Sequence, residues 1–530
     1  MTESMKILPD KGFYRIGETV QIRARIDGSE GGMLECRILH LADEVVKLLM
    51  PIAASQAPQD VVVRWNPPDI VSRGYGVEVE HIEPSGVVTR GSTAFDVLEA
   101  WTSRPRYGFL SDFSPNRTDI ATTVAELARF HINGVQFYDW HYRHDNPLPP
   151  TEVFLDPLGR ELSIQTVRDL IDAASSKGMA SMAYVAVYGA SMDFWREKPE
   201  WALCDEHGEP HIFEGDFLGL MDPTNGGGWA NHLHGRCDEI VDSLPFAGIH
   251  IDQYGEPRTA FNRRGEEVNL PAAFSDFVRE LKRRRPNSPT TFNAVKNWPI
   301  DTLLQAPMDF SYIELWPDMP TYGDIAEVVE NAYVGSGHKP VVIALYLPAA
   351  HEVNIRLANA LIAAHGGSRI ELGEGGRLLS DPYFPLHEAL SPRLNDWLRR
   401  SSDFRVRYGE LLCSPATPSR AEVLVPDGVW TVVREVPGWL VINLVNMSDI
   451  AEARWDEEHM PPSPLGPVSM EVQADPGVRE VWAASPDGHD QSLHRVEWLM
   501  HDGSVRVSVP SLEIWTMVAI EFTSEEGDGQ

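Results

Sequence analysis

The chain has 530 residues, enough for two or three domains, with 43% hydrophobic and 23% charged residues, the balance of a globular protein. Its net charge of -33 excludes a nucleic-acid surface, which needs basic residues against phosphate, and leaves a neutral substrate open. Four scattered cysteines (Cys36, Cys204, Cys237 and Cys413) exclude a disulfide framework and read as isolated thiols, and no run reaches the ~18 apolar residues of a membrane span.

The start, Met1-Thr2-Glu3-Ser4-Met5-Lys6-Ile7, lacks a basic stretch followed by an apolar one. As it stands the sequence is expected to be cytoplasmic, with secretion the alternative for a trimmed chain. Residues 1–98 read as an immunoglobulin-like β-sandwich, because Val20 to Ile26 and Tyr75 to Ile82 alternate apolar with polar between turn residues. From 99 to 412 strand runs alternate with helical ones. The predicted strands are Tyr107–Asp112, Gly134–Trp140, Ala180–Gly189, Gly248–Tyr254, Thr290–Val295, Phe310–Trp316, Pro340–Leu347 and Gly367–Gly373. Helical patterns run over Thr118 to His131, Ser163 to Lys177 (Ser163 as N-cap), Trp229 to Ser243, Pro271 to Arg284 and Glu352 to His365. Eight such units match a (β/α)8 TIM barrel. Ala190 to Gly228 is a long excursion whose apolar run, Asp216 to Met221, is expected to belong to a loop rather than to the barrel. From 413 to 530 strand patterns return, at Trp439 to Val445, Val505 to Val509 and Leu512 to Phe522, predicting a second β-sandwich.

Side chains alternate across a strand, so parity decides which residues enter a barrel. In the fourth strand Ile249 and Ile251 should face helices, and His250, Asp252 and Tyr254 the interior. In the sixth, Ile313 and Leu315 should face outward, and Phe310, Tyr312, Glu314 and Trp316 inward. Alone, Asp252 could cap a helix and Glu314 could form a buried ion pair. Together, at the C-terminal ends of two barrel strands, they are the pair of acids that glycoside hydrolysis requires. Fifteen tryptophans supply core residues and candidate platforms for sugar rings. Asp139 and Trp140, ending the second strand, and Tyr188, Asp222, Gln253, Asn293, Glu371 and Glu374 also map to the rim as candidate binding residues. The pairs His141/His144, His207/His211 and His232/His234 have ligand-like spacing without the company of a recognised metal motif, and are expected to be solvated loop histidines, so no metal is expected. Thr224-Asn225-Gly226-Gly227-Gly228 lacks the lysine of a phosphate loop.

Several stretches resemble glycoside hydrolase family 66, the dextranases and cycloisomaltooligosaccharide glucanotransferases. They are Phe130-His131-Ile132-Asn133-Gly134-Val135-Gln136-Phe137-Tyr138-Asp139-Trp140, Met221-Asp222-Pro223, Gly248-Ile249-His250-Ile251-Asp252-Gln253, Tyr312-Ile313-Glu314-Leu315-Trp316, Ile370-Glu371-Leu372-Gly373-Glu374 and Pro382-Tyr383-Phe384-Pro385. The resemblance implies an α-1,6-glucan substrate, no cofactor, Asp252 as nucleophile, Glu314 as general acid/base and retained anomeric configuration. Members that form cyclic products typically carry a carbohydrate-binding insertion in the catalytic domain. None fits here, so dextranase-like hydrolysis is the expected activity. Transglycosylation is the alternative, and non-catalytic glucan binding a more distant one.

Overall fold

The computed structural model describes all residues except 1–4, 71, 371, 382–385, 414–415, 451–452, 474–476 and 524–530. Glu371 and the 382–385 motif therefore lie outside the described residues.

The centre is a (β/α)8 barrel. Its strands are β1 (Tyr107–Leu110), β2 (Gly134–Phe137), β3 (Ala180–Ala186), β4 (Gly248–Asp252), β5 (Thr290–Val295), β6 (Ser311–Glu314), β7 (Val341–Ala344) and β8 (Ser368–Ile370), paired in chain order and all parallel. Phe109 N–H donates to Leu372 O at 3.0 Å, and the Ser368 hydroxyl to Pro105 O at 2.7 Å, which closes β8 onto β1. Nearly every strand residue is buried, as expected of a parallel sheet covered on both faces. The predicted strands are correct in existence and order but extend past the ladder into the rim loops.

The longer helices are α1 (Ile120–Arg129), α2 (Ile164–Ser176), α3 (Gly228–Ser243), α4 (Leu270–Arg284), α5 (Tyr322–Gly335), α6 (Glu352–Ala364) and α7 (Pro392–Arg407). Ser163 caps α2 as predicted, its hydroxyl accepting from Thr166 N–H. The outward β residues Ile249, Ile251, Ile313 and Leu315 join the helices in the main core. Phe310, Tyr312, Tyr107, Met182 and Val342 fill the interior, so the parity reading holds. The excursion after β3 forms a separate three-stranded sheet, Gly189–Ser191, Leu218–Leu220 and Ile212–Phe213, outside the barrel as expected.

Antiparallel sheets flank the barrel. On the N-terminal side a three-stranded sheet (Lys6–Pro9, Val20–Ile26, Gln59–Trp65) packs on a four-stranded one (Asp43–Ile52, Gly32–His40, Arg73–Ile82, Val88–Val97) around its own core. On the C-terminal side six-stranded and four-stranded sheets enclose another, with Trp439–Asn446 and Trp515–Phe522 adjacent. Buried ion pairs pin these domains to the barrel. Arg106 grips both oxygens of Asp96, at 2.7 and 3.0 Å, and Arg356 on α6 reaches Asp487 at 2.9 Å. No helix of the described residues is long and apolar enough to cross a membrane.

Candidate active site

The parallel strands deliver their C-terminal residues to one rim, and β4, β5 and β6 are neighbours there. Asp252 ends β4, Glu314 ends β6, and Asn293 lies between them on β5. The Asn293 amide nitrogen donates to Asp252 Oδ1 and to Glu314 Oε2, each at 2.8 Å. Those two oxygens therefore lie at most twice that distance apart. One layer below, His250 stacks flat on Tyr107 with centroids 5.8 Å apart, and its Nδ1 lies 3.2 Å from the Tyr107 hydroxyl. Burial lowers His250 to about 3, so it stays neutral and acts as barrel filling.

The acids are 9% and 7% exposed. Burial pushes Asp252 up to about 6, against hydrogen bonds from Asn293, Gln253 N–H and Tyr184 that favour its ionised form. Burial, and then the charge of Asp252, push Glu314 up to about 7, against hydrogen bonds from Asn293, Tyr346 and Trp316. Two carboxyls with different pKa values at one cavity can hold opposite protonation states near neutral pH.

The cavity above them measures about 600 Å³. It takes in the predicted Asp139, Gln253, Tyr254, Asn293 and Tyr312. Tyr254 stacks on Phe213 from the excursion, centroids 4.3 Å apart, and a side chain at Gly189 would collide with its hydroxyl. The Gln253 amide nitrogen donates to Trp298 O and its oxygen accepts from Gly255 N–H, so that side chain shapes the loop. Trp316 is half-buried beside Glu314. Burial raises Asp139 to about 7, and Arg160 only partly opposes this.

Four other candidates, Trp140, Tyr188, Asp222 and Glu374, lie outside the cavity lining. Trp140 is fully buried against Phe246, its Nε1 on Tyr184 O, and lies outside the cavity lining. The pleat ends at Phe137, and Asp139 takes a left-handed φ of 49°, so strand parity no longer applies at Trp140. Tyr188 is also buried; its hydroxyl accepts from Tyr254 N–H and donates to Glu256 O, bracing the loop. Asp222 closes an Asx turn onto Thr224 and does not line the cavity. Glu374 accepts from Ser111 and Asp112 N–H and pairs with Arg117 at 2.5 Å, a latch holding the β8 loop on the β1 loop. His141, His144 and His234 are buried, contrary to the expectation of solvated histidines, because their segments fold inward onto the barrel wall and helix α4.

Gln136, Tyr138, Tyr184 and Tyr346 line the cavity without having been singled out from sequence. Parity along β2, β3 and β7 could have found them. Phe213 and Phe217, which reach the cavity from the excursion, carry no such signal.

The glycosyl hydrolase family 66 model matches residues 9–519. Two cycloisomaltooligosaccharide glucanotransferases of Niallia circulans align with the chain. One is 28% identical over 66% of this chain and 39% of its own length. The other is 24% identical over 97% of this chain and 72% of its own. The chain thus spans well under half of the first relative. Among solved structures, a Paenibacillus cycloisomaltooligosaccharide glucanotransferase complexed with cycloisomaltoheptaose superposes with a TM-score of 0.91 at 22% identity, covering 97% of this chain and 99% of that one. The maltogenic α-amylase AmyB of Thermotoga neapolitana, at 12% identity and a TM-score of 0.50, covers 79% of this chain and 99% of its own. Both likenesses bear on the fold. With the match running through all three β and α/β regions, the chain belongs to glycosyl hydrolase family 66.

Proposed function

We propose that the cavity binds an α-1,6-linked glucan and that Asp252 and Glu314 act on it by double displacement. Asp252 attacks the anomeric carbon while Glu314 gives its proton to the departing glycosidic oxygen. Glu314 then takes a proton from the acceptor that releases the glycosyl-enzyme, so configuration is retained. The observation that carries this reading is the shared Asn293 donor. It holds one oxygen of each carboxyl within twice 2.8 Å of the other, which fits the ~5–5.5 Å separation of retaining pairs.

The acceptor in this reading is a sugar hydroxyl, which makes the enzyme a transglycosylase. The named relatives support it: they are glucanotransferases, one of them solved with a cyclic isomaltooligosaccharide. They shift the weight from the hydrolysis expected from sequence. Hydrolysis remains the second reading, on a specific observation. The longer alignment runs over 703 residues against a chain of 530, so that relative carries long segments with no counterpart here.

Incubation with dextran and an isomaltooligosaccharide series, followed by mass analysis, decides between them. Cyclic or lengthened products support transfer. Shortened linear products alone support hydrolysis. Binding without any change in product size supports a non-catalytic glucan-binding protein and removes both.

A further inference from the structure

We propose that Asp139, His141 and His144 form a site for one divalent transition-metal ion of the zinc class on the wall of the cavity. A carboxylate oxygen of Asp139 and one ring nitrogen of each histidine lie within 4.8 Å of one another. The spacing Asp-x-His-x-x-His would give only a loose cluster in an extended chain. Here the chain bends at Asp139, with its left-handed φ, and turns again where Tyr142 N–H meets Pro147 O and Arg143 N–H meets Asn146 O, and the two imidazole centroids lie 4.4 Å apart, edge to face.

His131, His234 and His250 each keep one bonded ring nitrogen: His234 Nε2 is bonded to Phe277 O, His131 Nε2 to Asp403 and His250 Nδ1 to the Tyr107 hydroxyl, while the other nitrogen of each has no partner. His141, 2% exposed, has both ring nitrogens without a hydrogen-bond partner, and so does Nδ1 of His144, 5% exposed. Buried polar atoms are almost always paired, so three orphaned nitrogens in one cluster point to a ligand. Neither neighbouring guanidinium fills the role: Arg160 donates to Asp156 Oδ2 at 2.7 Å and to the backbone carbonyl of Asp139 at 3.2 Å, and Arg143 donates to the backbone carbonyls of Tyr142 and Leu155. Two imidazoles and one carboxylate suit zinc, or cobalt in its place, better than calcium or magnesium, which prefer all-oxygen shells. Asp139 and His144 line the cavity, whereas His141 lies behind them against the Tyr184 ring. The remaining coordination positions would face the cavity, open to water or a sugar hydroxyl.

Zinc titrated calorimetrically into the full-length, chelator-treated protein should bind one ion per chain, and cobalt should give the visible absorption of a protein-bound ion. His141→Asn and His144→Asn should each abolish both signals. His141→Asn is the sharper variant, because His141 lies outside the cavity lining. If either variant fails to fold, as judged by thermal melting without metal, the other and the wild-type cobalt spectrum still decide. No stoichiometric binding by the wild type overturns the proposal, as does binding undiminished in both variants, which would place the ion on exposed histidines such as His207. No readout needs a glucan, so failure here leaves the reading of Asp252 and Glu314 standing.

Discussion

Asp252 and Glu314, on strands separated by β5, share a single hydrogen-bond donor, the Asn293 amide nitrogen at 2.8 Å from each. The proposed scheme needs Asp252 ionised and Glu314 protonated. Activity should therefore rise with pH through the Asp252 pKa near 6 and fall through that of Glu314 near 7, giving a narrow bell. Asn293 favours the ionised form of both acids. Its removal in Asn293→Ala raises both pKa values, so both limbs of kcat/KM against pH should move to higher pH. Limbs that stay in place, or move to lower pH, would contradict the shared-donor account.

Asp252→Asn and Glu314→Gln should each lower kcat on dextran by about 10²–10⁴-fold or more while leaving the fold intact. The two roles separate with an α-glucosyl fluoride donor, whose leaving group needs no proton. Glycosyl transfer to the enzyme should return with this donor in Glu314→Gln and stay lost in Asp252→Asn. Rescue of both, or of neither, would reject the assignment of nucleophile and acid.

The same burial that prepares the acids for chemistry opposes folding. Their folded pKa values exceed the ordinary ones, so the folded state holds protons that the unfolded state has released. Stability is then lost as pH rises from the ordinary carboxylate range through the folded values near 6 and 7. Asp252→Asn and Glu314→Gln should consequently melt at higher temperature than the parent at pH 8, by about 1–3 kcal/mol each, with the advantage vanishing near pH 4. A lower melting temperature at pH 8 would show that the hydrogen bonds to these carboxylates outweigh their desolvation.

Much of this site was legible in the sequence because strand parity is strict. Period-two alternation in Gly-Ile-His-Ile-Asp and Ser-Tyr-Ile-Glu places Asp252 and Glu314 inside any parallel barrel, and the same rule extends to Tyr184 and Tyr346. Parity failed where the pleat ends. Past Phe137 the left-handed Asp139 turns Trp140 into the core. Helix α5 was missed although Thr321 and Asp324 form a capping box before it, because the apolar run behind them is weakly periodic. Phe213 and Phe217 reach the cavity through long-range packing of the excursion, with Tyr254 stacked on Phe213, which no local pattern encodes.

Glu374 illustrates how a rim carboxylate can be structural. It accepts two backbone N–H groups from the β1 loop and pairs with Arg117, whose side chain is 4% exposed. Glu374→Gln weakens that pair and leaves the buried Arg117 guanidinium with Asp119, 2.7 Å from its Nε, as its remaining counter-charge, which costs about 1.5–3 kcal/mol of stability. Because Glu374 does not line the cavity, kcat per folded molecule should change less than about threefold, under 1 kcal/mol of transition-state free energy. Thermal melting together with kcat/KM at a temperature where both proteins are folded tests this. A loss of turnover comparable to that of Glu314→Gln, with melting unchanged, would return Glu374 to the catalytic machinery.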